Sequence, residues 1–388
     1  MNTFRRSIFM LALVITVVLV FVSGCERVKQ VLDTDSSTDE VSDEKILIGV
    51  VIPQSGRLEP AFGVHIENAL KLARDEINET LLAGLQLEFI IEDSNSTPEG
   101  AVSAFNKLIN EDNVKVVIGP ATSSASKQIF PIAHDEQVVT ISPTSAARGL
   151  SAISDYAFRI ALTTELLVPD GIATTHPILN YQEVATLYDE ADVFSTDADT
   201  ALQEAFKTKN IKVLITETFR GGDDDFTDQL TRIQVLEPDA IFVSSLPPEK
   251  SGILSKAHEL GISVPIFIRT LTDADVEATG KAAQGAITFV GWGSALETPG
   301  NQDFVNTYKA TYGIKPNNYA ARSYATLYIL AKAIANADST NPDDIRDALT
   351  NIKDYDTILG KFSFDENGDA VYDTKVLIVK EGKLVLFE

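Results

Sequence analysis

An α/β protein wound into two similar halves is what this 388-residue sequence predicts. Three observations carry the prediction. Near-continuous apolar runs, of which residues 45–52 (KILIGVVI) are the first, have the pattern of strands buried on both faces of a parallel sheet. Such a run gives way to a short polar loop and then to apolar residues at helical spacing, as Ile66, Leu70, Ala73 and Ile77 stand. The same succession begins again near residue 166, so the fold class is α/β with two doubly wound lobes, a size that suits two domains with cores of their own.

The first half opens with strand 45–52, which Pro53-Gln54-Ser55-Gly56-Arg57 breaks before the first helix. An extended run at 85–91 completes a βαβ unit. Thr97 is placed to cap the next helix with Pro98 at its first position, and Val102, Phe105, Leu108 and Ile109 give that helix one apolar face. Strands follow at Val116, at 138–141 and near 158–161. The second half has a helix at 166–179 and a strand at 184–188, then strands at 212–216, 240–244, 266–268 and 286–290. Helical patterns at 197–207, 225–236, 249–260 and 273–281 separate them. In Gly221-Gly222-Asp223-Asp224-Asp225-Phe226, Asp224 or Asp225 is expected to cap the following helix rather than to hold a metal. Helices at 303–312, 319–336 and 342–350 precede two terminal strands at 375–379 and 383–387. Residues 365–369 superficially resemble a calcium loop, but aligning Gly368 to its glycine puts Ser363 and Thr374 at the end ligand positions, so a β-turn is expected.

The candidate site is the stretch Val116-Val117-Ile118-Gly119-Pro120-Ala121-Thr122-Ser123-Ser124-Ala125-Ser126, where an apolar strand ends in small residues and hydroxyls before a helix resumes. Unpaired N–H groups and the positive end of the helix dipole favour an anion there, and Ser123 and Ser124 add hydroxyl donors. These residues alone also permit a plainer reading, that Ser123 or Ser124 caps its own helix. A second loop of the same kind, Ile141-Ser142-Pro143-Thr144-Ser145-Ala146, favours the first: two such loops from neighbouring parallel strands face one crevice.

Composition narrows the function. A formal charge of −24 argues against nucleic acid or an anionic lipid surface as partner. One cysteine, Cys25, excludes an intrachain disulfide, and His65, His134, His176 and His258 lack metal-ligand spacing, so no metal is expected. No nucleophile elbow, phosphate loop or histidine–carboxylate cluster occurs, so the chain reads as no enzyme and implies no cofactor. At the amino terminus, Arg5 and Arg6 precede an apolar run at 8–22, short of the ~20 residues of a comfortable membrane span but suited to a signal peptide. Val22-Ser23-Gly24-Cys25 then resembles a bacterial lipobox, which implies cleavage after residue 24 and a lipid on Cys25; an uncleaved anchor would also hold the protein outside the cytoplasm. Residues 26–44 have the composition of a solvated tether.

In order along the chain stand Ile48-Gly49-Val50 with Ser55-Gly56, Glu92-Asp93, Val117-Ile118-Gly119-Pro120 with Ser123-Ser124, Ile141-Ser142-Pro143, Phe158-Arg159, Asp225-Phe226, Tyr324-Ala325 and residues 360–369. This series resembles the type I periplasmic substrate-binding proteins of ABC transporters, in the Leu/Ile/Val-binding branch and in lipoprotein form. The resemblance implies two lobes joined by three hinge crossovers that close on a ligand like a trap. Residues 1–24 would be the signal peptide, 25–45 the lipidated cysteine and tether, 46–162 with 291–357 the first lobe, and 163–290 with 358–388 the second. It further implies a monomer that is anchored in the cell envelope, captures an amino acid or other carboxylate-containing solute and delivers it to a membrane permease. An envelope sensor or partner-binding lipoprotein on the same fold is the alternative.

Carried over position by position, the family's carboxylate-binding serine falls on Ser123 and its second-loop contacts on Thr144, Ser145 and Ala146. Ala146 stands where the family commonly has a threonine, so that hydroxyl is lost. Aromatic or tyrosine positions fall on Phe194, Leu246 and Tyr319, each of which ordinary core packing would also explain. Ser55 and Arg57 belong to the loop after the first strand. Where amino-acid binders place a carboxylate for the ligand amine, this chain has Arg269-Thr270. If Arg269 or Arg57 faces the cleft, a carboxylate solute without an amine fits better; otherwise both lie solvated at the rim.

Overall fold

The structure, a computed structural model, describes residues 44–80 and 85–388. The expected signal peptide, Cys25 and the tether lie outside the described residues, and no described helix is long and apolar enough to cross a membrane.

Five strands form a first sheet: β1 (Glu44–Ile52), β2 (Leu85–Asp93), β3 (Val116–Ile118), β4 (Val139–Ser142) and β5 (Ala157–Arg159), in spatial order β2-β1-β3-β4-β5. β1, β3, β4 and β5 run parallel, with Gly49 opposite Val117, Val117 opposite Thr140 and Ile141 opposite Phe158. Alternate side chains of β1 enter different cores: Ile48, Val50 and Ile52 join Ile66, Leu70 and Ile77, whereas Val51 joins Phe105, Ile129 and Phe130. Helices therefore cover both faces, which is why β1 reads as an unbroken apolar run.

The second sheet takes β6 (Glu183–Asp189), β7 (Lys212–Phe219), β8 (Ala240–Ser244), β9 (Ile266–Ile268) and β10 (Ile287–Val290). After β10 come β11 (Tyr355–Thr357), β12 (Gly360–Phe364) and β13 (Ala370–Val371) as a small separate sheet, then β14 (Lys375–Lys380) and β15 (Lys383–Leu386). The spatial order is β15-β14-β10-β9-β8-β6-β7, with β14 antiparallel to β10. Both sheets thus place their second strand outside the first and their third on its other side. Winding reverses between β1 and β3 and again between β6 and β8, and a crevice opens outside the carboxyl ends of those strands.

The chain passes from the first sheet to the second after β5. It returns after β10 to form the helix Asn318–Ala337, which packs on the helix Val64–Thr80. The third passage differs from expectation. Instead of crossing near Ile358, residues 360–371 stay on the first lobe: Phe364 meets Phe158 at 5.1 Å, and the Arg159 amide donates to the Gly368 carbonyl. The Arg159 guanidinium, fully buried, pairs with Asp369 at 2.5 Å. Gly368 makes this approach feasible, since it has φ +82° and a Cβ there would stand 2.6 Å from the Ala157 carbonyl oxygen. The crossing comes only at 372–374, before β14.

Other local differences have local causes. The helix expected from residue 197 begins at Val193 because the Asp192 carboxylate accepts the Ser195 amide, and Phe194 then lies on its first turn. Before the helix Thr227–Val235, the Asp225 carboxylate accepts the Thr227 amide, although Phe226 holds the cap position. The loop that leaves β3 is shaped by Gly119, whose φ is +125° and whose added Cβ would lie 2.4 Å from the Val51 carbonyl oxygen. Gly119→Ala should therefore lower the unfolding free energy by about 2–4 kcal/mol in urea titrations; unchanged stability would show that the turn tolerates a side chain.

Candidate ligand-binding cleft

Both switch points open on one small cavity. From the first lobe it is lined by Ala121, Thr122 and Ser123 after β3, by Thr144 and Ala146 after β4, and by Phe62, Tyr319 and Arg322; from the second lobe come Phe194, Leu246 and Thr270. Its volume is about 20 Å³, room for about one water molecule. A larger groove of about 980 Å³ lies on the second lobe at the amino ends of β9 and β10, lined by Leu254, His258 and Ala286 among others. That is the opposite end of the sheet from a switch-point ligand, so the smaller cavity is the candidate site.

Ser123 does not cap its helix; Thr122 does, accepting the Ala125 amide at 3.3 Å. The Ser123 hydroxyl instead accepts the Ala146 and Ala147 amides at 3.1 and 3.2 Å, which ties the loop after β3 to the loop after β4. Thr144 adds a hydroxyl bond to the Ala121 carbonyl. Below them, the Ser142 hydroxyl lies 2.7 Å from the Pro120 carbonyl and from the Ser145 hydroxyl, which in turn meets Ser126 at 2.6 Å. Arg159 completes the frame by donating to the Ala147 carbonyl. Having accepted two amides, Ser123 keeps its own O–H for the cavity, beside the N–H groups of the first helical turn, which have no partner within the helix.

The sequence-expected residues divide. Ser123, Thr144, Ala146, Phe194, Leu246 and Tyr319 line the cavity. Ser145 lies beneath the loop in the hydroxyl mesh. Ser55 faces away, donating to Asp93 at 2.6 Å. Arg57 and Ser124 bridge the lobes instead: Arg57 pairs with buried Glu249 at 2.8 Å, and Ser124 donates to Asp192 at 3.0 Å. Arg148 adds a further bridge to Asp197 and Glu204.

Arg269 is neither at the rim nor on the cavity wall. Only 3 % exposed, it lies behind Phe194, its guanidinium 5.8 Å from that ring. Burial and the neighbouring Arg322 charge pull its pKa down to about 10. Three wall or near-wall residues escaped the sequence reading. Phe62 stacks on Tyr319 with centroids 4.0 Å apart. Arg322 sits 5.4 Å from the Tyr319 ring and lines the cavity. Lys250, 1 % exposed, donates to the Thr270 carbonyl at 2.7 Å and lies 3.4 Å from the Tyr319 hydroxyl. A lone arginine in an alanine-rich apolar helix was the available signal for Arg322. Among the described residues, no acidic side chain lines the cavity.

Two doubly wound lobes that meet over a cavity at the carboxyl ends of both sheets define a two-lobed solute-binding protein. The family of periplasmic binding proteins matches residues 45–383, and this chain belongs to it, as a type I member of the branched-chain amino acid branch. It is a family of extracytoplasmic solute-binding proteins, not of enzymes. The chain is 25% identical over 354 residues to the Leu/Ile/Val-binding protein BraC3 of Rhizobium johnstonii, covering 88% of this chain and 94% of the relative. It superposes with a TM-score of 0.81 and 27% identity on the branched-chain amino acid transporter substrate-binding protein LivJ of Streptococcus pneumoniae in complex with isoleucine, covering 88% of this chain and 98% of that one. An ABC transporter solute-binding protein of R. palustris in complex with benzoate shares the fold at TM-score 0.82 and 20% identity, covering 88% of this chain and 95% of that one.

Ser123→Ala leaves the Ala146 and Ala147 amides, both buried, without an acceptor. Stability should fall by about 1–3 kcal/mol in chemical denaturation; no loss would mean that the two loops hold together without the serine.

Proposed function

We propose that this chain is a monomeric, lipid-anchored receptor outside the cytoplasmic membrane that binds a small carboxylate-bearing solute without an amine and presents it to an ABC permease. The observation that carries the reading is the make-up of the cavity wall: donors at Ser123, a cation at Arg322 and, among the described residues, no carboxylate. A ligand carboxylate would take the Ser123 hydroxyl and the N–H groups at the start of the helix Ser123–Asp135, and the helix dipole would favour it. The apolar body would lie between Phe62 and Tyr319 of one lobe and Phe194 and Leu246 of the other. A buried ammonium would have no counter-charge there and would lose several kcal/mol on leaving water. The names of BraC3 and LivJ concern branched-chain amino acids, and the R. palustris complex concerns benzoate; the wall of this chain favours an acid of the second kind.

A space of about 20 Å³ admits no solute of that size, so entry requires the lobes to part. Motion about the three crossovers would open the cleft. Arg57–Glu249, Ser124–Asp192 and Arg148–Asp197 would reform on closure. The solute selects the closed form only through contacts it makes with both lobes at once. Residues 1–24 would direct export and Cys25 would carry the lipid that keeps the receptor beside its permease.

Thermal unfolding of the purified full-length protein tests this against benzoate, hexanoate, isoleucine and acetamide. Benzoate or hexanoate should raise the melting temperature by a few degrees at about 100 times its dissociation constant. Stabilisation by isoleucine alone would contradict the reading, and a flat response to all four would move the function to a protein partner.

A further inference from the structure

The cationic side of the cleft exceeds what one carboxylate needs. Arg269, Arg322 and Lys250 are 3 %, 8 % and 1 % exposed. Among the described residues none of the three is paired with a carboxylate. Arg269 donates from Nη1 to the Phe289 carbonyl at 3.2 Å, but its Nε and Nη2 are buried without a partner. Arg322 donates from Nε to the Asn318 carbonyl at 3.0 Å. The nearby acids have other partners: Glu249 holds Arg57 and the Gly222 amide through Oε1, its buried Oε2 being unpartnered, and Asp197 holds Arg148. Buried donors are as a rule satisfied, and buried charges are as a rule paired. Arg269 lacks partners for two buried donors, and neither of the two adjacent guanidinium groups has a counter-charge, which is a standing electrostatic demand on whatever enters the cleft.

The geometry points to a second anion-binding position at Arg322, backed by Arg269, and hence to a small dicarboxylate with an apolar skeleton as the solute; this rests on the carboxylate reading given above. One carboxylate would lie at Ser123 and the start of its helix, on the loop side. The other would meet Arg322, which lines the same cavity. The stacked Phe62 and Tyr319 rings and the facing Phe194 and Leu246 would hold the skeleton between them. A mono-acid seated at Ser123 leaves the guanidinium groups uncompensated once the lobes shut out water, and a neutral hydroxyl at that end supplies an acceptor but no charge. A diacid supplies both, and the closed form is then favoured by the contacts that only closure creates.

Isothermal titration of the full-length protein with two matched pairs, terephthalate with benzoate and adipate with hexanoate, reads this out. Within at least one pair the diacid should bind about tenfold or more tighter than the mono-acid of the same skeleton. Arg322→Gln and Arg269→Gln should each shrink that gap while melting no lower than the wild type, because each removes an unpaired buried charge; Arg322→Lys, which keeps the charge, should retain part of it. Equal affinities within both pairs, or a gap that survives both glutamine substitutions, would overturn the dicarboxylate assignment and leave the carboxylate reading standing. Glutamine variants that melt well below the wild type would show that the arginines serve the fold, and would equally overturn it. Binding of isoleucine in place of all four acids would sink both readings.

Discussion

The cleft depends on one hydroxyl that bonds across two loops. Ser123 stands at the first position of its helix, yet its oxygen accepts the amides of Ala146 and Ala147 on the loop from the neighbouring strand. The arrangement is available only because β3 and β4 run parallel in register and end at the same level, Ile118 beside Ile141. Strand order brings the loops together, and the serine fixes them at hydrogen-bonding distance. Arg159 then extends the constraint from the Ala147 carbonyl to Asp369 on the turn between β12 and β13, so a segment more than two hundred residues downstream helps to hold the loop that walls the cavity.

Charge is distributed unevenly across the molecule. The whole chain is strongly acidic at −24, while the cavity wall carries a cation and two more lie close behind it. At physiological ionic strength the screening length is about 8 Å, so the outer acidity would bear on the approach of a solute more than on its capture. Within the cleft, burial removes that screening, and under the proposal above the unpaired guanidinium groups would dominate the selection. The Arg57–Glu249 bridge engages one oxygen of an acid near the site.

Much of the fold was legible in the sequence, because strands buried on both faces spell themselves out as apolar runs. The three residues of β9 are an instance, bounded by Pro265 and Arg269. The two loops were also legible, since small residues and hydroxyls after an apolar run have few other uses. What lies opposite a residue was not. Helical periodicity shows which face Arg322 shares, but only the packing of its helix against Phe62 and the loops turns that face into a cavity wall. Likewise nothing local in Phe158-Arg159 announces that its guanidinium reaches Asp369, and the third crossing was consequently placed too early. Phe194, Leu246 and Tyr319 came from a family resemblance and not from their own neighbourhoods, where each reads equally as core.

The account is tested most directly by a crystal structure of the protein grown with the tightest-binding acid. It predicts a carboxylate with an oxygen about 3 Å from the Ser123 hydroxyl and the apolar body between Tyr319 and Phe194. An ammonium or an apolar group against Ser123, or a solute bound away from the loops after β3 and β4, would contradict it.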